Sequence, residues 1–267
     1  MAQKLHFLII DPQNDFLDIP KAKLPVKGAH ADMQRLAGCI KRLRNKISDI
    51  HVTLDSHNPI DIGHPGWFIN DAGEMPAPLT LMSAQALKDG VWRTRNPAEQ
   101  AYTTAYFEQV EARGRHTPIV WPEHCLIGTW GHNVQEDLQA ELEQWARKKV
   151  AVVDYVTKGS NSRTEHYSAV QAEVPLKDDP STSLNTGLIK TLTEADIIAV
   201  SGEALSHCLA TTVWDIADEF GEENIRKLVL LTDCTSPVEG FEAMGRKFFD
   251  DMVARGMRTA TSLDFLA

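Results

Sequence analysis

Residues 5–16 read Leu-His-Phe-Leu-Ile-Ile-Asp-Pro-Gln-Asn-Asp-Phe, a largely apolar run that ends on an acid. The apolar part, Leu5–Ile10, has the length and composition of a strand that is buried on both faces of a sheet. Similar runs, bounded by polar or turn residues, recur along the chain at Ile50–Leu54, Val150–Val156, Ile197–Val200, Leu228–Leu231 and, more weakly, Arg258–Thr261. The pattern therefore predicts a sheet of buried strands.

Helix-like segments lie between these runs, at Ala29–Asn45, Val134–Lys148, Cys208–Phe220 and Glu239–Arg255. Strands that alternate with helices predict a parallel sheet with helices on both faces. The fold class is thus α/β, a three-layer α/β/α architecture with a mainly parallel, doubly wound sheet. No linker rich in glycine, serine or proline divides the chain, so we expect one domain over residues 1–267.

The connection between the second and third strands is unusually long. Over ninety residues separate Leu54 from Val150, whereas a parallel crossover needs only about a dozen. We therefore expect an insertion at about residues 58–132. It starts with an irregular stretch rich in proline and glycine, contains a helix-like segment at Pro97–Arg113, and belongs to a connection that holds five of the six tryptophans. This aromatic content indicates a packed, functional segment, either a lid or a contact between subunits of a homo-oligomer.

Composition excludes several classes of protein. The 267 residues include 27 basic and 37 acidic side chains, a net charge of −10, which argues against nucleic-acid and anionic-membrane partners. No apolar run approaches the roughly 18–20 residues of a membrane span, and no signal-peptide pattern precedes the first strand. Four scattered cysteines without a Cys-x-x-Cys pair are typical of a reducing compartment, so we expect a cytoplasmic location.

Chemically active side chains follow four of the predicted strands. In open α/β sheets, ligands bind outside the carboxyl ends of the strands. There the sequence supplies an acid, a chelating pair, a lysine and a cysteine, namely Asp11, Asp55 with His57, Lys158 and Cys208. This convergence on one edge of the sheet is the strongest functional signal in the chain.

Cys208 is the candidate nucleophile. It opens a predicted helix, where the helix dipole and the free amide hydrogens favour the thiolate. Lys158 would lower the thiol pKa further, Asp11 could accept the proton, and nearby backbone amides could face an oxyanion. The alternative is a buried cysteine that merely starts a helix. His207 is not expected to be the base in spite of its position beside Cys208, since neighbouring helix residues point in different directions.

A second set of side chains could bind a metal ion. Asp55 and His57 lie two residues apart, on one side of an extended segment, and His64 and His124 are further along the same connection. Carboxylate and imidazole ligands suit zinc, manganese or iron. Their spacing alone leaves open the alternative of loop caps and ordinary surface histidines. The other three cysteines are expected to be packing residues without a chemical role, namely Cys39, Cys125 and Cys234.

These motifs resemble those of the nicotinamidase branch of the isochorismatase-like cysteine hydrolases. The matching elements occur in that family's order, from residue 5 to about 235: residues 8–16, Asp55–His57 with His64, Trp121–Cys125, Lys158–Gly159 and Gly202–Cys208. Two regions depart from the pattern: the long insertion together with Glu173–Leu184, and the turn Glu203–His207. Neither departure removes a catalytic group, and both can alter the wall of the pocket and hence the substrate.

The resemblance implies a catalytic triad. Cys208 would attack an amide carbonyl, Asp11 would take the thiol proton and pass it to the leaving ammonia, and Lys158 would keep the thiolate reactive. Water would then hydrolyse the thioester. The family also has a cis peptide bond, here Glu203–Ala204, which aims the amides of Ala204 and Cys208 at the oxyanion.

The resemblance further implies a metal site and an aromatic pocket. The implied ligands are Asp55, His57 and His124, with His64 as a ligand in some members. The ion would be one divalent metal, zinc in the first place, with manganese, iron or magnesium as alternatives, and it would bind the pyridine nitrogen of the substrate. Phe16 and Trp121 would sandwich the substrate ring.

The function so implied is hydrolysis of nicotinamide to nicotinate and ammonia, a step of NAD metabolism and pyridine nucleotide salvage. One alternative keeps the mechanism but changes the substrate to another small amide or ureide. The other is a metal- or metabolite-binding protein of this fold without catalysis. The segment Ser160–Val170 is expected to start a helix rather than to line the pocket with His166 and Tyr167.

Overall fold

The computed structural model describes residues 3–267, so that Met1 and Ala2 lie outside it. The strands are β1 (Leu5–Ile10), β2 (Ile47–Asp55), β3 (Phe68–Ile69), β4 (Thr80–Leu81), β5 (Arg93–Thr94), β6 (Ile119–Val120), β7 (Asp154–Lys158), β8 (Ile197–Gly202), β9 (Leu228–Leu231) and β10 (Arg258–Ala260). The helices are α1 (Ala29–Leu43), α2 (Ala84–Lys88), α3 (Gln100–Arg113), α4 (Glu136–Lys149), α5 (Thr186–Thr193), α6 (Cys208–Phe220), α7 (Glu222–Ile225) and α8 (Glu242–Ala254). Within residues 3–267, no helix is long and apolar enough to cross a membrane.

Six strands form the central sheet, in the order β10-β9-β8-β1-β2-β7, and every neighbouring pair is parallel. The chain runs outward from β1 through β2 to β7, and then from β8 through β9 to β10 on the other side. The strand order therefore reverses between β1 and β8. This is the doubly wound arrangement predicted from the alternation of strands and helices, and it opens a crevice beyond the carboxyl ends of β1 and β8.

The residues of β1 alternate between two hydrophobic cores. Phe7 and Ile9 pack on the side of α1 and α4, together with large buried side chains such as Trp145. Leu8 and Ile10 pack on the side of α5, α6 and α8. A strand that is buried on both faces needs apolar residues at consecutive positions, which explains the continuous apolar run Phe7–Ile10.

The third predicted strand, Val150–Val156, is partly wrong. β7 begins only at Asp154, because Val150 ends α4 in the left-handed region (φ +53°), with its side chain 93% exposed. β7 is also an edge strand, so its residues are not buried on both faces; Tyr155, for example, is 41% exposed. A run of valines at a helix end carries the same sequence signal as a strand.

The long connection before α4 folds around its own small core. Two antiparallel pairs, β3 with β5 and β4 with β6, combine with α2 and α3. Their packing buries a hydrophobic cluster with four aromatic members, namely Trp67, Phe68, Tyr106 and Phe107. The segment is therefore packed, as its aromatic content predicted, and it leads through β6 directly to Trp121 at the sheet edge.

Candidate active site

The crevice between β1 and β8 brings the predicted acid and thiol to the same edge of the sheet. Asp11 directly follows β1, and Cys208 is the first residue of α6. The close approach of the two strand ends depends on Gly202, which has φ +105° and whose added Cβ would lie 1.9 Å from the Ile10 carbonyl oxygen. Any side chain at this position would push β8 away from Asp11.

Lys158, the last residue of β7, lies at the centre of this site. Its Nζ is 3.0 Å from Asp11 Oδ2 and 2.9 Å from Asp55 Oδ1. It donates a hydrogen bond to the His166 carbonyl oxygen (2.8 Å) and lies 3.6 Å from Cys208 Sγ. The three residues predicted as a triad are thus brought together around one buried ammonium group.

The charges in this site differ in one respect from the sequence expectation. Burial by itself would lower the pKa of Lys158, but the carboxylates of Asp11 and Asp55 raise it well above its usual value. Burial also raises the pKa of the Cys208 thiol well above its usual value, and the nearby ammonium only partly offsets this effect. Burial thus opposes the thiolate that the helix start and the ammonium favour.

Asp11 is arranged to receive a proton. Burial raises the pKa of its carboxyl group, while Lys158 opposes that shift. Asp11 Oδ2 has no aligned hydrogen-bond donor among residues 3–267, although Lys158 Nζ is 3.0 Å away. The other oxygen, Oδ1, accepts a hydrogen bond from the Thr53 hydroxyl (2.5 Å). One carboxylate oxygen is fixed and the other is open to a proton.

Two positioning residues were missed from the sequence. Thr53 holds Asp11, and Gln13 holds Asp55 by accepting from its backbone N–H and donating to its carbonyl oxygen, both at 2.7 Å. Thr53 lies two residues before Asp55 in β2, on the same face of the strand, so alternation could have identified it. Gln13 belongs to the motif that follows β1, but nothing in the sequence indicates that it bridges to β2.

The predicted metal ligands form a buried cluster. One nitrogen from each of His57, His64 and His124 lies within 4.8 Å of the others. Asp55 Oδ2 is 3.1 Å from His57 Nε2 and 3.2 Å from His124 Nε2. The structure thus brings all four candidate ligands together, and it excludes the alternative of ordinary surface histidines, because every member is buried.

The chemistry of this cluster fits a divalent metal ion. Burial lowers the pKa of His64 to about 2, so the imidazole is neutral and offers a lone pair. Its Nδ1 is buried and has no hydrogen-bond partner in the described part of the chain. Three imidazoles and a carboxylate are a donor set that zinc accepts. Asp61, which the sequence analysis did not single out, lies behind the cluster with Oδ2 3.2 Å from His57 Nδ1.

A small cavity lies beside the thiol. Its wall includes Cys208, Ala204, Asp55 and His124 and a mostly aromatic remainder, namely Phe16, Leu24, Trp121, Glu165, His166, Tyr167, His207 and Val238. The two aromatic residues implied by the resemblance, Phe16 and Trp121, therefore do line the cavity.

The segment Ser160–Val170 lines this cavity and does not start a helix, so that prediction was wrong. It consists of turns held by specific contacts, including the Lys158 bond to the His166 carbonyl and a hydrogen bond from Trp121 Nε1 to the Tyr167 hydroxyl (2.9 Å). The same segment contributes Glu165, whose carboxyl pKa burial raises to about 7. Its polar, helix-compatible sequence contains no signal for these contacts.

His207 is part of the aromatic wall. Its ring meets those of Trp121 and Phe241 edge-on, with centroids 5.2 and 4.7 Å away. Burial lowers the pKa of His207 to about 4, so it is neutral near pH 7. This position agrees with the sequence prediction that it is not the base.

The remaining cysteines lie in packed positions. Cys125 is fully buried, and its backbone N–H donates to Asp15 Oδ2 (2.8 Å). Burial raises the pKa of Cys39 to about 11, and burial likewise raises that of Cys234. All four cysteines of the chain are free thiols, and Cys208 is the one that lines the cavity.

Two residues of the cavity wall, Ala204 and Cys208, have backbone amides without a protein acceptor among the described residues. The peptide bond Glu203–Ala204 is cis, as the resemblance implied. Within residues 3–267, neither the Ala204 nor the Cys208 amide N–H donates a hydrogen bond to a protein acceptor. Both amides are therefore available to a ligand.

Comparison with known proteins agrees with this geometry. No protein-family model matches the chain. The nicotinamidase of Saccharomyces cerevisiae is 28% identical to it over 139 residues, which are 52% of this chain and 57% of that enzyme. The chain thus spans a little over half the length of the curated relative it matches. The structure of the yeast nicotinamidase bound to the inhibitor nicotinaldehyde superposes with a TM-score of 0.63 at 18% identity, covering 96% of this chain and 99% of the other.

The chain has the nicotinamidase fold. A nicotinamidase/pyrazinamidase of Acinetobacter baumannii superposes with a TM-score of 0.64 at 20% identity, covering 98% of both chains. A pyrazinamidase of Pyrococcus horikoshii, solved in complex with zinc, gives a TM-score of 0.55 at 17% identity, covering 97% of this chain and 99% of the other. The similarity to nicotinamidases drawn from the motifs is confirmed, and so is the predicted fold class.

Proposed function

We propose that this protein is a metal-dependent cysteine amidohydrolase that converts nicotinamide to nicotinate and ammonia. One observation carries the proposal: Lys158 Nζ lies within 3.6 Å of Asp11, Asp55 and the Cys208 thiol at the wall of an aromatic cavity. The nicotinamidase fold and the partial sequence match to a nicotinamidase support the same substrate class.

In the proposed first step, Cys208 Sγ attacks the amide carbonyl carbon while its proton passes to Asp11. Lys158 stays protonated; it stabilises the Asp11 carboxylate before the transfer and the negative charge that develops on the sulfur as the proton leaves. The oxyanion receives hydrogen bonds from the amides of Ala204 and Cys208. When the carbon–nitrogen bond breaks, Asp11 returns the proton to the leaving nitrogen, which departs as ammonia.

In the proposed second step, water attacks the thioester carbon and gives a proton to Asp11. The same two amides hold the new oxyanion. Its collapse breaks the carbon–sulfur bond, releases the carboxylic acid and returns the proton from Asp11 to Cys208. The Cys208 thiol is thereby restored for the next cycle.

Asp55, His57 and His124, with His64, would hold one divalent ion, for which zinc is our proposal. Such an ion supplies a Lewis acid that anchors a donor atom of the substrate. Phe16 and Trp121 would contact the flat faces of the ring, and the aromatic wall excludes water from the attack. Since the four cysteines are free thiols, we also propose a cytoplasmic location for the enzyme.

Ammonia release from nicotinamide tests the proposal, measured with zinc-loaded protein and again after chelation. We expect release by the loaded protein, loss on chelation, and loss in the Cys208→Ala variant but not in Cys39→Ala, which removes a buried thiol remote from the site. A panel of small amides and ureides run alongside distinguishes a different substrate. No turnover of any of them by the loaded protein would leave only a binding role.

A further inference from the structure

A second group of potential metal-binding side chains lies toward the amino ends of β1 and β7, away from the crevice at the carboxyl ends. It consists of His6 in β1, Asp49 and His51 in β2, and Asp154 in β7. The strand register places them side by side, with His6 opposite Asp49 and His51 opposite Asp154. Since a strand rises about 3.3 Å per residue, His6 is roughly 16 Å from Asp11 along β1. The group is thus separate from the candidate active site.

The donor atoms of this group have the spacing of ligands around one ion. His51 Nε2 lies 3.2 Å from His6 Nδ1 and 3.9 Å from Asp49 Oδ2. One donor atom from each of the three residues lies within 4.8 Å of the others. Ligand atoms at tetrahedral zinc, each bonded at about 2.0–2.1 Å, are about 3.3 Å apart. The two imidazole nitrogens already have this separation.

Asp154 prepares His51 for this role. His51 Nδ1 lies 2.9 Å from Asp154 Oδ2, so the ring donates its proton to that carboxylate. The second ring nitrogen, Nε2, then carries a lone pair directed at His6 and Asp49. A carboxylate that holds one nitrogen of a ligating histidine is the usual support for a bound metal. His51 is 1% exposed, so this orientation is fixed by packing.

Asp49 and the local charge favour a cation. Asp49 Oδ1 accepts a hydrogen bond from the Ile50 N–H (2.9 Å), which leaves Oδ2 to face His51. The side chains of Asp49 and Asp154 are 36% and 51% exposed, whereas both histidines are buried, so an ion can enter from the acidic side. The two carboxylates give this opening a negative charge.

We propose that His6, Asp49 and His51 bind a divalent metal ion of intermediate softness such as zinc, with Asp154 as the positioning residue for His51. The bound ion links β1 to β2 through their side chains, and the hydrogen bond between Asp154 and His51 connects the edge strand β7 to the same site. The site stabilises this half of the sheet and takes no part in the chemistry at Cys208. The proposal is independent of the proposed enzymatic function.

Zinc content tests this site in untagged, full-length protein. The background is the double variant His57→Gln/His124→Gln, which disables the candidate catalytic cluster. We expect this background to keep one zinc ion per chain after loading and dialysis, and His6→Gln to remove it. His30→Gln, which changes a histidine of α1 outside both clusters, is the matched control and should keep the ion.

Asp49→Asn serves if the histidine variant does not fold, because Asp49 is partly exposed and its removal does not open the core. It should also lose the ion, and Asp154→Asn should weaken zinc affinity about 10–100-fold. Zinc should raise the Tm of the background variant, and it should not raise the Tm of the same background variant that also carries Asp49→Asn. A background variant without zinc, or zinc retained after both His6→Gln and Asp49→Asn, would mean that the group is only a pair of hydrogen-bonded histidines.

Discussion

Lys158 and Asp55 form the ion pair that joins the two halves of the candidate active site. Lys158 Nζ lies 2.9 Å from Asp55 Oδ1, and the other oxygen of the same carboxylate faces His57 and His124 at 3.1 and 3.2 Å. The lysine also contacts Asp11 at 3.0 Å. One carboxylate thus links the candidate metal cluster to the groups around the thiol. A substitution in either half should therefore alter the charge and geometry of the other half.

Replacing Lys158 with methionine should damage both activity and stability. The substitution leaves the buried Asp11 and Asp55 carboxylates without their shared cation. Loss of one partner from a buried ion pair costs about 3–5 kcal/mol of unfolding free energy. We expect ammonia release from nicotinamide to fall by at least about 10²–10³-fold. Urea unfolding measures the stability, and steady-state kinetics measures the activity. Lys148→Met, which changes an exposed lysine, is the control. A Lys158→Met variant that is as active and as stable as the wild type would refute the central role of the ammonium.

Removing one histidine of the cluster should remove one metal ion. In His57→Gln we expect the zinc content of the loaded protein to fall by one ion per chain, because His57 is buried against both Asp55 and Asp61. Elemental analysis of dialysed protein measures this. His132→Gln is the control, since His132 bonds Ser56 in the same region but stands outside the cluster. Unchanged zinc content in His57→Gln would show that the cluster is not a metal site.

His207→Phe should retain most of the catalytic rate. His207 is a neutral member of the aromatic wall, with a pKa that burial lowers to about 4. We expect kcat to fall by less than about tenfold and KM to change more than kcat, since removing a general base usually costs about 10²–10⁴-fold in rate. Steady-state kinetics with nicotinamide distinguishes the two. A fall in kcat of the larger size would make His207, rather than Asp11, the candidate base.

Glu173→Gln should make the protein more stable at alkaline pH relative to the wild type. Glu173 is 2% exposed, and burial raises its pKa to about 7, against an ordinary value of 4.5. Because the folded-state pKa is raised, its contribution is fully present below pH 4.5 and is lost as the pH rises through 7.

We expect the stability difference between Glu173→Gln and wild type to shift in favour of the variant between pH 4.5 and 8, by up to about 3 kcal/mol. Urea unfolding at pH 5 and pH 8 measures it, with the exposed Glu219→Gln as control. A difference that does not change with pH would show that Glu173 titrates normally in the folded protein.

The sequence predicted the parts of the fold that are buried on both sides. Leu5–Ile10, Leu228–Leu231 and Cys208–Phe220 have the bounds that were expected, because buried strands and an amphipathic helix leave a clear pattern. The edge strand β7 was misplaced at its start, and the short helix Thr186–Thr193 was missed. The edge strand has one buried position and the helix has eight residues, so hydrophobic periodicity carries little information in either.

The sequence identified those residues of the candidate site that lie at or directly after the ends of predicted strands. Asp11, Lys158 and Cys208 follow predicted strands, and the sheet topology brings them together. Gln13 was not assigned a role, because its bonds to Asp55 depend on the relation between two strand ends that the sequence does not specify. The same holds for Tyr167, whose loop has neither of the regular periods.

The covalent role of Cys208 is the central claim, and a crystal structure with nicotinaldehyde tests it most directly. An aldehyde cannot lose ammonia, so attack by the thiol should stop at a stable adduct. The account predicts a bond between Cys208 Sγ and the aldehyde carbon, with the oxygen facing the amides of Ala204 and Cys208 and the ring between Phe16 and Trp121. An aldehyde bound without that bond, bonded to another residue, or found outside the cavity would contradict it.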